Sequence, residues 1–377
     1  MTFELLLNPR HGQPGVVVLP AGGYRRARTE IMSWPGYAPT PLHDLPDLAA
    51  LASVASVRLK DESARFGLGS FKALGGAYAV AGQLAILLSR RGVAPSASGV
   101  DLESGRFRDA TSGVTVTCAT DGNHGRSVAW GARRFGCRCV IFVHEGVSQV
   151  RVDAIAAFGA DIRRVPGTYD DSVRAADKVA AAEDWIVVSD ASWPGYTEIP
   201  RAVMQGYRLM PDEAADQWRG PPPTHVFVQG GVGGVAAAVS VQLRARFDPA
   251  PRLIVVEPDR AACLLASARA GKLAVAGGPL DTIMAGLACG EPSLLAWQEL
   301  ERAAFAFVAI PDEAAVGAMR TLAGLGIVSG ESGAAGLAGF LQAAADPGPL
   351  GLDPTSRVLL FSTEGATDPA LYARLTG

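Results

Sequence analysis

Between positions 60 and 76 the chain contains Lys60-Asp-Glu-Ser-Ala-Arg65-Phe-Gly-Leu-Gly-Ser70-Phe-Lys72-Ala-Leu-Gly-Gly76. This stretch sets the amine of Lys72 where a polar loop turns into an apolar helix. The chain has only four lysines among its 34 basic residues, and the other three, Lys60, Lys178 and Lys272, are expected on exposed surface. Burial disfavours the charged form of an amine and yields the nucleophile that attacks an aldehyde. Lys72 is therefore a candidate for Schiff-base formation, although a snorkelling helix lysine would show the same pattern.

A second segment joins a strand-like run to a helix-like run through a polar turn, Thr117-Cys-Ala-Thr120-Asp121-Gly122-Asn123-His124-Gly125-Arg126. Such a turn presents backbone N–H groups at a helix N-terminus, where an anion is favoured. A substrate carboxylate is one candidate anion. The alternative is structural, because Asp121 or Asn123 could simply cap the helix and His124 could be a packing residue.

A third segment, Gln229-Gly230-Gly231-Val232-Gly233-Gly234-Val235-Ala236, follows the apolar strand 225–228. Glycines let backbone amides approach a phosphate closely. The same letters satisfy the G-x-G-x-x-A dinucleotide pattern, and Glu257 closes the next strand near the distance of a ribose-binding acid. A nicotinamide-dependent oxidoreductase is thus an alternative, but it gives no role to Lys72 or to the 117–126 turn. A phosphorylated aldehyde cofactor uses all three segments.

The fourth segment is an apolar strand that ends in hydroxyls, Arg357-Val-Leu-Leu-Phe361-Ser362-Thr363-Glu364-Gly365. A hydroxyl at this position could hydrogen-bond the pyridine nitrogen of pyridoxal phosphate. A serine, unlike an aspartate, would leave that nitrogen largely unprotonated, which favours α,β-elimination over transamination. Taken alone, Ser362 could equally be a turn residue.

Together these segments resemble the diaminopropionate ammonia-lyases, a family of fold type II (tryptophan-synthase-like) pyridoxal-phosphate enzymes. The similarity continues through Ser189-Asp190-Ala-Ser-Trp193-Pro-Gly-Tyr196 and Met204-Gln-Gly-Tyr207. The resemblance implies an α/β protein with a tryptophan synthase β-subunit-like fold. It implies two domains, each with a mainly parallel sheet covered by helices, and pyridoxal 5'-phosphate as the cofactor.

The resemblance also implies roles for individual positions. The expected cofactor contacts are Lys72, Asn123, Gly230, Gly231, Gly233, Gly234 and Ser362. The expected substrate contacts are Thr120, Asp121, His124 and Asp190. Lys72 would carry the internal aldimine, and Lys72 and Asp121 would remove the α-proton from opposite enantiomers. Asp190 would bind or protonate the departing β-amine.

The implied reaction is α,β-elimination of 2,3-diaminopropionate to pyruvate and two ammonia, through an internal aldimine, an external aldimine and an aminoacrylate. A serine or threonine dehydratase-like lyase of the same fold would share every cofactor residue and differ at Asp121 and Asp190. The nicotinamide oxidoreductase stays the alternative from a different class, and a regulator that binds the cofactor without turnover is disfavoured because the acid and base groups are intact.

The composition is that of an ordinary enzyme, with 49% hydrophobic residues, 19% charged residues and a formal charge of −3. No basic stripe indicates nucleic acid, and the start of the chain and its short apolar runs predict neither a signal peptide nor a membrane anchor. We expect a cytoplasmic protein, and the resemblance implies a homodimer that acts on an amino-acid substrate. The five cysteines lack the spacing of a metal site, while Cys263 and Cys289 could approach each other as a redox-sensitive pair.

Strand-like and helix-like runs alternate along nearly the whole chain, which predicts parallel sheets covered by helices. The strand candidates include residues 54–59, 114–118, 139–143, 161–165, 185–188, 224–228, 253–256 and 358–361. In the fold group a smaller domain is inserted after the lysine helix. We therefore expect a large domain from residues 1–84 and 190–377, a small domain from residues 85–189, and the cofactor in the cleft between them. Residues 91–111, rich in Ser and Gly, are expected to form a flexible excursion.

Overall fold

The computed structural model describes residues 3–13 and 15–377. Its strands are β1 (Glu4–Leu7), β2 (Leu42–Asp44), β3 (Ser56–Asp61), β4 (Thr115–Ala119), β5 (Arg138–His144), β6 (Asp161–Val165), β7 (Ile186–Val187), β8 (His225–Gln229), β9 (Arg252–Pro258), β10 (Ala304–Ile310) and β11 (Arg357–Ser362). Its helices are α1 (Ala21–Met32), α2 (Pro46–Leu51), α3 (Gly76–Arg90), α4 (Gly99–Glu103), α5 (Arg108–Thr111), α6 (Asn123–Phe135), α7 (Gln149–Ala156), α8 (Tyr169–Glu183), α9 (Glu198–Tyr207), α10 (Leu209–Gln217), α11 (Gly234–Arg246), α12 (Cys263–Ala270), α13 (Leu294–Ala303), α14 (Asp312–Gly324), α15 (Ala335–Ala345) and α16 (Pro369–Thr376).

The strands form two sheets. The larger has the order β1-β10-β9-β8-β11-β3-β2, and its five inner strands are mutually parallel. The edge strands β1 and β2 run antiparallel to their neighbours. The smaller sheet has the order β6-β5-β4-β7 and is parallel throughout. The predicted α/β class with mainly parallel sheets is confirmed.

The chain divides into two compact units. The first comprises residues 1–19, 39–71 and 208–377, and the second comprises residues 20–38 and 72–207. The second unit thus includes α1, α9 and the first part of α3, which were predicted to belong to the large domain. Helix α3 belongs to it because Gly76 and Gly131 let α3 and α6 pack with almost no space for a side chain between them. The predicted domain boundaries at 84/85 and 189/190 stay a prediction.

Several elements differ from the sequence analysis. Strand β10 begins at the residue after α13 ends, so no turn residue in the sequence indicates where the strand starts. The edge strands β1 and β2 are too short to show an alternating pattern. Residues 91–111 are not a featureless excursion, since they contain α4 and α5. Helix α4 begins with a capping box in which Ser98 and Asp101 bond each other's backbone amides, an arrangement that stabilises a short helix.

One stretch in the described part of the chain, Phe71–Arg90, is long and apolar enough to cross a membrane. Of its most apolar window, 61% is buried inside the protein. Such burial is what a core helix of a compact unit shows.

Four buried charges lie on and beside the end of β3, and we call Lys60, Glu62, Arg65 and Glu213 the buried ionic cluster. Lys60 and Glu62 are 0% exposed, Arg65 is 1% exposed and Glu213 is 5% exposed. Glu213, on α10, accepts hydrogen bonds from Lys60 Nζ at 2.8 Å and from two Arg65 nitrogens at 2.8 and 2.7 Å. The expectation that Lys60 is exposed was therefore wrong, because its acidic partner lies far away in the sequence.

Arg65 in turn donates to both carboxylate oxygens of Glu62. Because Arg65 also donates to Glu213 on α10, its guanidinium group ties the loop after β3 to that helix. The same loop is fixed to the end of β11. Phe71 N–H donates to the carbonyl of Thr363 at 3.0 Å, and the N–H of Gly365 donates to the carbonyl of Gly69 at 2.9 Å. These contacts fix the backbone immediately before Lys72.

Candidate active site

Three candidate active-site side chains of the second unit lie at one edge of its parallel sheet. Asp121 follows β4, His144 ends β5 and Asp190 follows β7. Because β4 lies between β5 and β7, the carboxyl ends of three neighbouring parallel strands meet there, the edge at which α/β proteins bind ligands.

The turn after β4 is built by Thr120. Its hydroxyl oxygen accepts hydrogen bonds from the N–H groups of Gly122 and Gly125, both at 3.0 Å. Thr120 is buried and thus satisfies part of the N-terminus of α6. Asp121 is consequently not needed for this turn, and its carboxylate turns to another partner. Asn123, the first residue of α6, is half-buried beside it.

Lys72 lies in a short 3₁₀ turn, Phe71–Leu74, just before α3. Its ammonium group forms a hydrogen-bonded ion pair with Asp190 Oδ2, and the two side chains are 19% and 9% exposed. The Nζ atom also lies 5.6 Å from the ring centroid of the buried Tyr207. Burial alone would raise the pKa of Asp190, but the charge and the hydrogen bond of the Lys72 ammonium group outweigh it and hold that pKa well below its ordinary value. Asp190 therefore stays a carboxylate.

His124 is buried beside this pair. Its Nε2 lies 2.7 Å from the carbonyl oxygen of Val188, and since a carbonyl only accepts, Nε2 carries the hydrogen. Burial lowers the pKa of His124, which favours the neutral ring with Nδ1 as an acceptor. Nδ1 lies 3.8 Å from Asp190 Oδ2 and has no hydrogen-bond partner among the described residues. Asp190 Oδ2 and His124 Nδ1 are therefore two buried hydrogen-bond acceptors that lie close together.

Asp121 has a different environment. Its Oδ1 lies 2.9 Å from His144 Nε2, and the two side chains are 13% and 24% exposed. Burial raises the pKa of Asp121, while the hydrogen bond from His144 and the charge of Arg151 oppose that rise. The sequence analysis did not identify His144. Its position at the end of a strand next to the one that precedes Asp121 was the available signal, but that signal needs the strand order.

The first unit brings the other predicted residues together at the ends of β8 and β11, which are neighbouring parallel strands. Gly231 has φ +57° and Gly233 has φ +95°, and a methyl group on Gly233 would lie 2.9 Å from the Cβ of Ala296. Within residues 3–13 and 15–377 the amides of Gly231 and Val232 find no backbone acceptor. With the free amides at the start of α11, they form a cradle that fits a phosphate group.

Ser362 ends β11 and is fully buried. Its hydroxyl donates to Ser329 Oγ at 2.8 Å. Gln229, at the end of β8, donates from its amide nitrogen to the carbonyl oxygens of Phe361 and Gly333 at 2.8 and 2.6 Å. This side chain ties the glycine turn to the strand that carries Ser362, so the two predicted cofactor contacts in this unit have a fixed separation.

Glu257 is not available as a ribose-binding acid. Its two carboxylate oxygens accept the N–H groups of Leu264 and Leu265, both at 2.8 Å, and so satisfy the N-terminal turn of α12. The side chain is 0% exposed, and burial raises its pKa to about 8. A methyl group on Gly230 would lie 2.6 Å from the Cγ of Glu257, so the acid lies beneath the glycine turn. The dinucleotide interpretation therefore lacks its second element.

In the described part of the chain, no group of three His, Cys, Asp or Glu side chains could hold a metal ion. All five cysteines are free thiols, and Cys263 and Cys289 are both buried. Burial raises the pKa of Cys263 well above its ordinary value. The redox pairing of these two residues stays a prediction.

Comparison with known proteins agrees with this geometry. The model of the pyridoxal-phosphate dependent enzyme family matches residues 33–364. A diaminopropionate ammonia-lyase from Escherichia coli (strain K12) is 42% identical over 355 residues, which cover 89% of this chain and 87% of the relative. One from Salmonella typhimurium (strain LT2) is 38% identical over 357 residues, covering 90% and 88%.

Solved structures show the same fold. The holo diaminopropionate ammonia-lyase of Escherichia coli has a TM-score of 0.91 and 38% identity, with 100% of this chain and 96% of that chain covered. The same enzyme in complex with an aminoacrylate-PLP azomethine reaction intermediate has a TM-score of 0.89, 37% identity and coverage of 100% and 97%. The lysine, the phosphate cradle and these similarities together establish that the chain belongs to the family of pyridoxal-phosphate-dependent enzymes.

Proposed function

We propose that this protein is a lyase that eliminates the β-amino group of 2,3-diaminopropionate. One molecule of water and one of diaminopropionate give one pyruvate and two ammonia. Pyridoxal phosphate, when bound, supplies an electron sink that makes the hydrogen on the substrate α-carbon acidic. The protein's own residues must then hold the cofactor, recognise two amino groups and move one proton.

Lys72 would bond the cofactor aldehyde, and Asn123 would contact the cofactor. The amides of the turn Gly230–Gly234 would bind its phosphate, and the Ser362 hydroxyl, by turning from Ser329 Oγ, would hydrogen-bond its pyridine nitrogen. A serine hydroxyl is a weak acid, so it hydrogen-bonds this nitrogen without transferring a proton to it. This arrangement favours elimination over transamination.

The observation that carries the substrate proposal is the pair of acceptors at Asp190 and His124. While the Lys72 amine is free, its ammonium group neutralises Asp190. A Lys72 amine that holds the cofactor would no longer neutralise Asp190, so an incoming substrate would meet Asp190 beside His124 Nδ1 in a buried place. A charged carboxylate without a cation is costly there. The β-ammonium group of diaminopropionate supplies the missing cation, whereas the β-hydroxyl of serine or threonine does not.

The two carboxylates have opposite pKa shifts, which suits them to different tasks. Asp190 stays charged and grips the β-ammonium group. Asp121, whose pKa is raised, is better matched to accepting a proton near neutral pH. We assign α-proton removal from one enantiomer to Asp121 and from the other to Lys72. Thr120 and the N-terminus of α6 bind the substrate α-carboxylate.

The test is a substrate panel. Purified protein with cofactor is given each diaminopropionate enantiomer, serine and threonine, and both pyruvate and ammonia are measured. We expect diaminopropionate to be preferred. Asp190→Asn should raise KM for diaminopropionate about tenfold or more, because a hydrogen bond to a charged group contributes about 1.5–3 kcal/mol, and should change serine turnover less. Asp177→Asn, at an exposed site of the same unit, is the matched control. Equal or better turnover of serine or threonine by the wild type would refute the substrate assignment.

We also propose that the protein is a cytoplasmic homodimer. The support is its resemblance to the diaminopropionate ammonia-lyases and its similarity to bacterial enzymes of that name. Sedimentation equilibrium should give twice the mass of one chain, and cell fractionation should recover the protein with the cytoplasm. A monomeric mass, or recovery in another fraction, would refute this part of the proposal.

A further inference from the structure

His144 lies opposite Asp121 because of the register of the two strands that precede them. In the parallel pair of β4 and β5, Cys118 is opposite Ile141 and Ala119 is opposite Phe142. Asp121 lies two residues beyond Ala119, and His144 lies two residues beyond Phe142, so the two residues are opposite each other. The pairing is therefore a consequence of sheet geometry, and it holds the imidazole at the edge where the other candidate active-site residues lie.

The imidazole has a defined orientation and tautomer. The N–H of Gly146 donates to His144 Nδ1 at 3.2 Å, so Nδ1 is an acceptor. The hydrogen of the neutral ring is then on Nε2, which points at Asp121 Oδ1 from 2.9 Å. A backbone amide thus fixes His144 as a donor to Asp121, and a fixed donor orients the carboxylate that accepts from it.

The titratable and charged groups around Asp121 come from three elements. His144 comes from β5, and Arg151 from α7 lies with its Cδ 3.3 Å from the place of a Cβ on Gly122. Asp190, from the segment after β7, opposes ionisation of Asp121, whereas His144 and Arg151 favour it. His144 makes a direct hydrogen bond to the carboxylate, at 2.9 Å.

We propose that His144 is a positioning residue for Asp121, which anchors one carboxylate oxygen so that the other is presented to the substrate α-hydrogen. The inference rests on the proposed function. It predicts that His144 acts on the one diaminopropionate enantiomer whose proton Asp121 removes. Proton removal from the other enantiomer uses Lys72, whereas His144 bonds Asp121, so we expect that reaction to be independent of the imidazole.

The kinetic test compares His144→Ala, His144→Gln and Asp121→Asn with both enantiomers. His144→Ala should lower kcat about 10–100-fold for the Asp121-dependent enantiomer, the usual effect of losing a residue that orients a functional ligand, with KM little changed. His144→Gln should recover much of the loss, because its Nε2 amide can donate from the same position. His43→Ala is the matched control, since His43 also lies near an aspartate, Asp61, at 3.5 Å.

Dependence through Asp121 is tested by the double variant. If His144 acts only by orienting Asp121, His144→Ala in an Asp121→Asn background should cause no further loss, because residues that act as a unit are not additive. Additive losses, or equal losses for the two enantiomers, would overturn the inference.

A measurement without turnover separates this inference from the proposed function. In the full-length holoenzyme labelled with ¹³C at aspartate carboxyl carbons, the Asp121 resonance, assigned by its loss in Asp121→Asn, is followed against pH. Removing a hydrogen bond to the charged form raises a carboxyl pKa, so His144→Ala should raise the pKa of Asp121 and His43→Ala should not. An unchanged titration would refute the role of His144, whereas a wild type that eliminates neither enantiomer would refute the proposed function instead.

Discussion

Removal of the Glu213 charge should destabilise the protein strongly, because it leaves the buried ionic cluster with two cations and one anion. Glu213 accepts four hydrogen bonds, from Lys60, from two nitrogens of Arg65 and from the N–H of Thr40. In Glu213→Gln one carboxylate oxygen becomes an amide donor that faces these cations. Breaking a buried ion pair from one side costs about 3–5 kcal/mol, and this is the loss we expect in the free energy of unfolding at pH 7.

The loss should shrink at alkaline pH, because Lys60 can release its proton and Arg65 cannot. Burial already lowers the pKa of Lys60 against the opposing charge of Glu213, and removing that charge lowers it further. Between the folded-state pKa of Lys60 in the variant and that in the wild type, the folded variant has released the proton that the folded wild type retains. Stability of the variant relative to the wild type therefore rises with pH in that window.

Urea unfolding of the full chain at pH 7 and pH 9.5 measures both effects. The double variant Lys60→Met with Glu213→Gln restores charge balance around Arg65 and Glu62, so it should lose about 1–3 kcal/mol less than the sum of the single losses. Asp161→Asn, which removes an exposed pairing with Arg163 at 3.6 Å, should change stability by less than about 0.5 kcal/mol. A Glu213→Gln loss as small as this control, or strictly additive variants, would refute the reasoning.

Three further predictions concern Lys72, the buried acid Glu257 and the close packing of Gly206 against the backbone of Leu74. Lys72→Ala should lose the Schiff-base absorption band and the adduct trapped by borohydride, and an adduct on another side chain in mass spectra would contradict the role of Lys72. Burial raises the pKa of Glu257 to about 8, so the contribution of this acid to stability is full below its pKa in the unfolded chain and is lost as pH rises through about 8. Glu257→Gln should therefore flatten the fall of Tm between pH 6 and 9. An unchanged slope would exclude Glu257 as the source of that fall. Gly206→Ala places a methyl group 1.9 Å from the carbonyl oxygen of Leu74 and should cost about 1–3 kcal/mol or more. Gly317→Ala, in open space within α14, should instead gain about 0.5–1 kcal/mol, and similar urea midpoints for the two alanine variants would contradict the packing argument.

The sequence predicted what depends on neighbouring residues. Lys72 at a helix start, the glycine turn after β8 and Ser362 at the end of β11 are local patterns, and each lies in the element predicted for it. Their roles toward cofactor and substrate stay predictions. Strand order is not local, and this is why His144 was missed although it ends a correctly predicted strand.

Prediction from the sequence was also limited where a residue is buried by an element far away in the chain. Lys60 was expected on exposed surface, and it is instead fully buried. Helix α10 brings Glu213 to this side chain. Strand β10 was missed for a different reason, because its apolar residues continue directly from α13 without a Gly or Pro between them.

In the turn after β4, Thr120 bonds the backbone while the side chain of Asp121 bonds His144. This difference has a consequence for how the substrate preference of related enzymes can change. Thr120 holds the turn through two backbone amides, so the next side chain makes no contribution to its geometry. Position 121 can therefore exchange one chemical group for another while the surrounding architecture persists. New substrate preferences can arise there by single substitutions that cost the fold little.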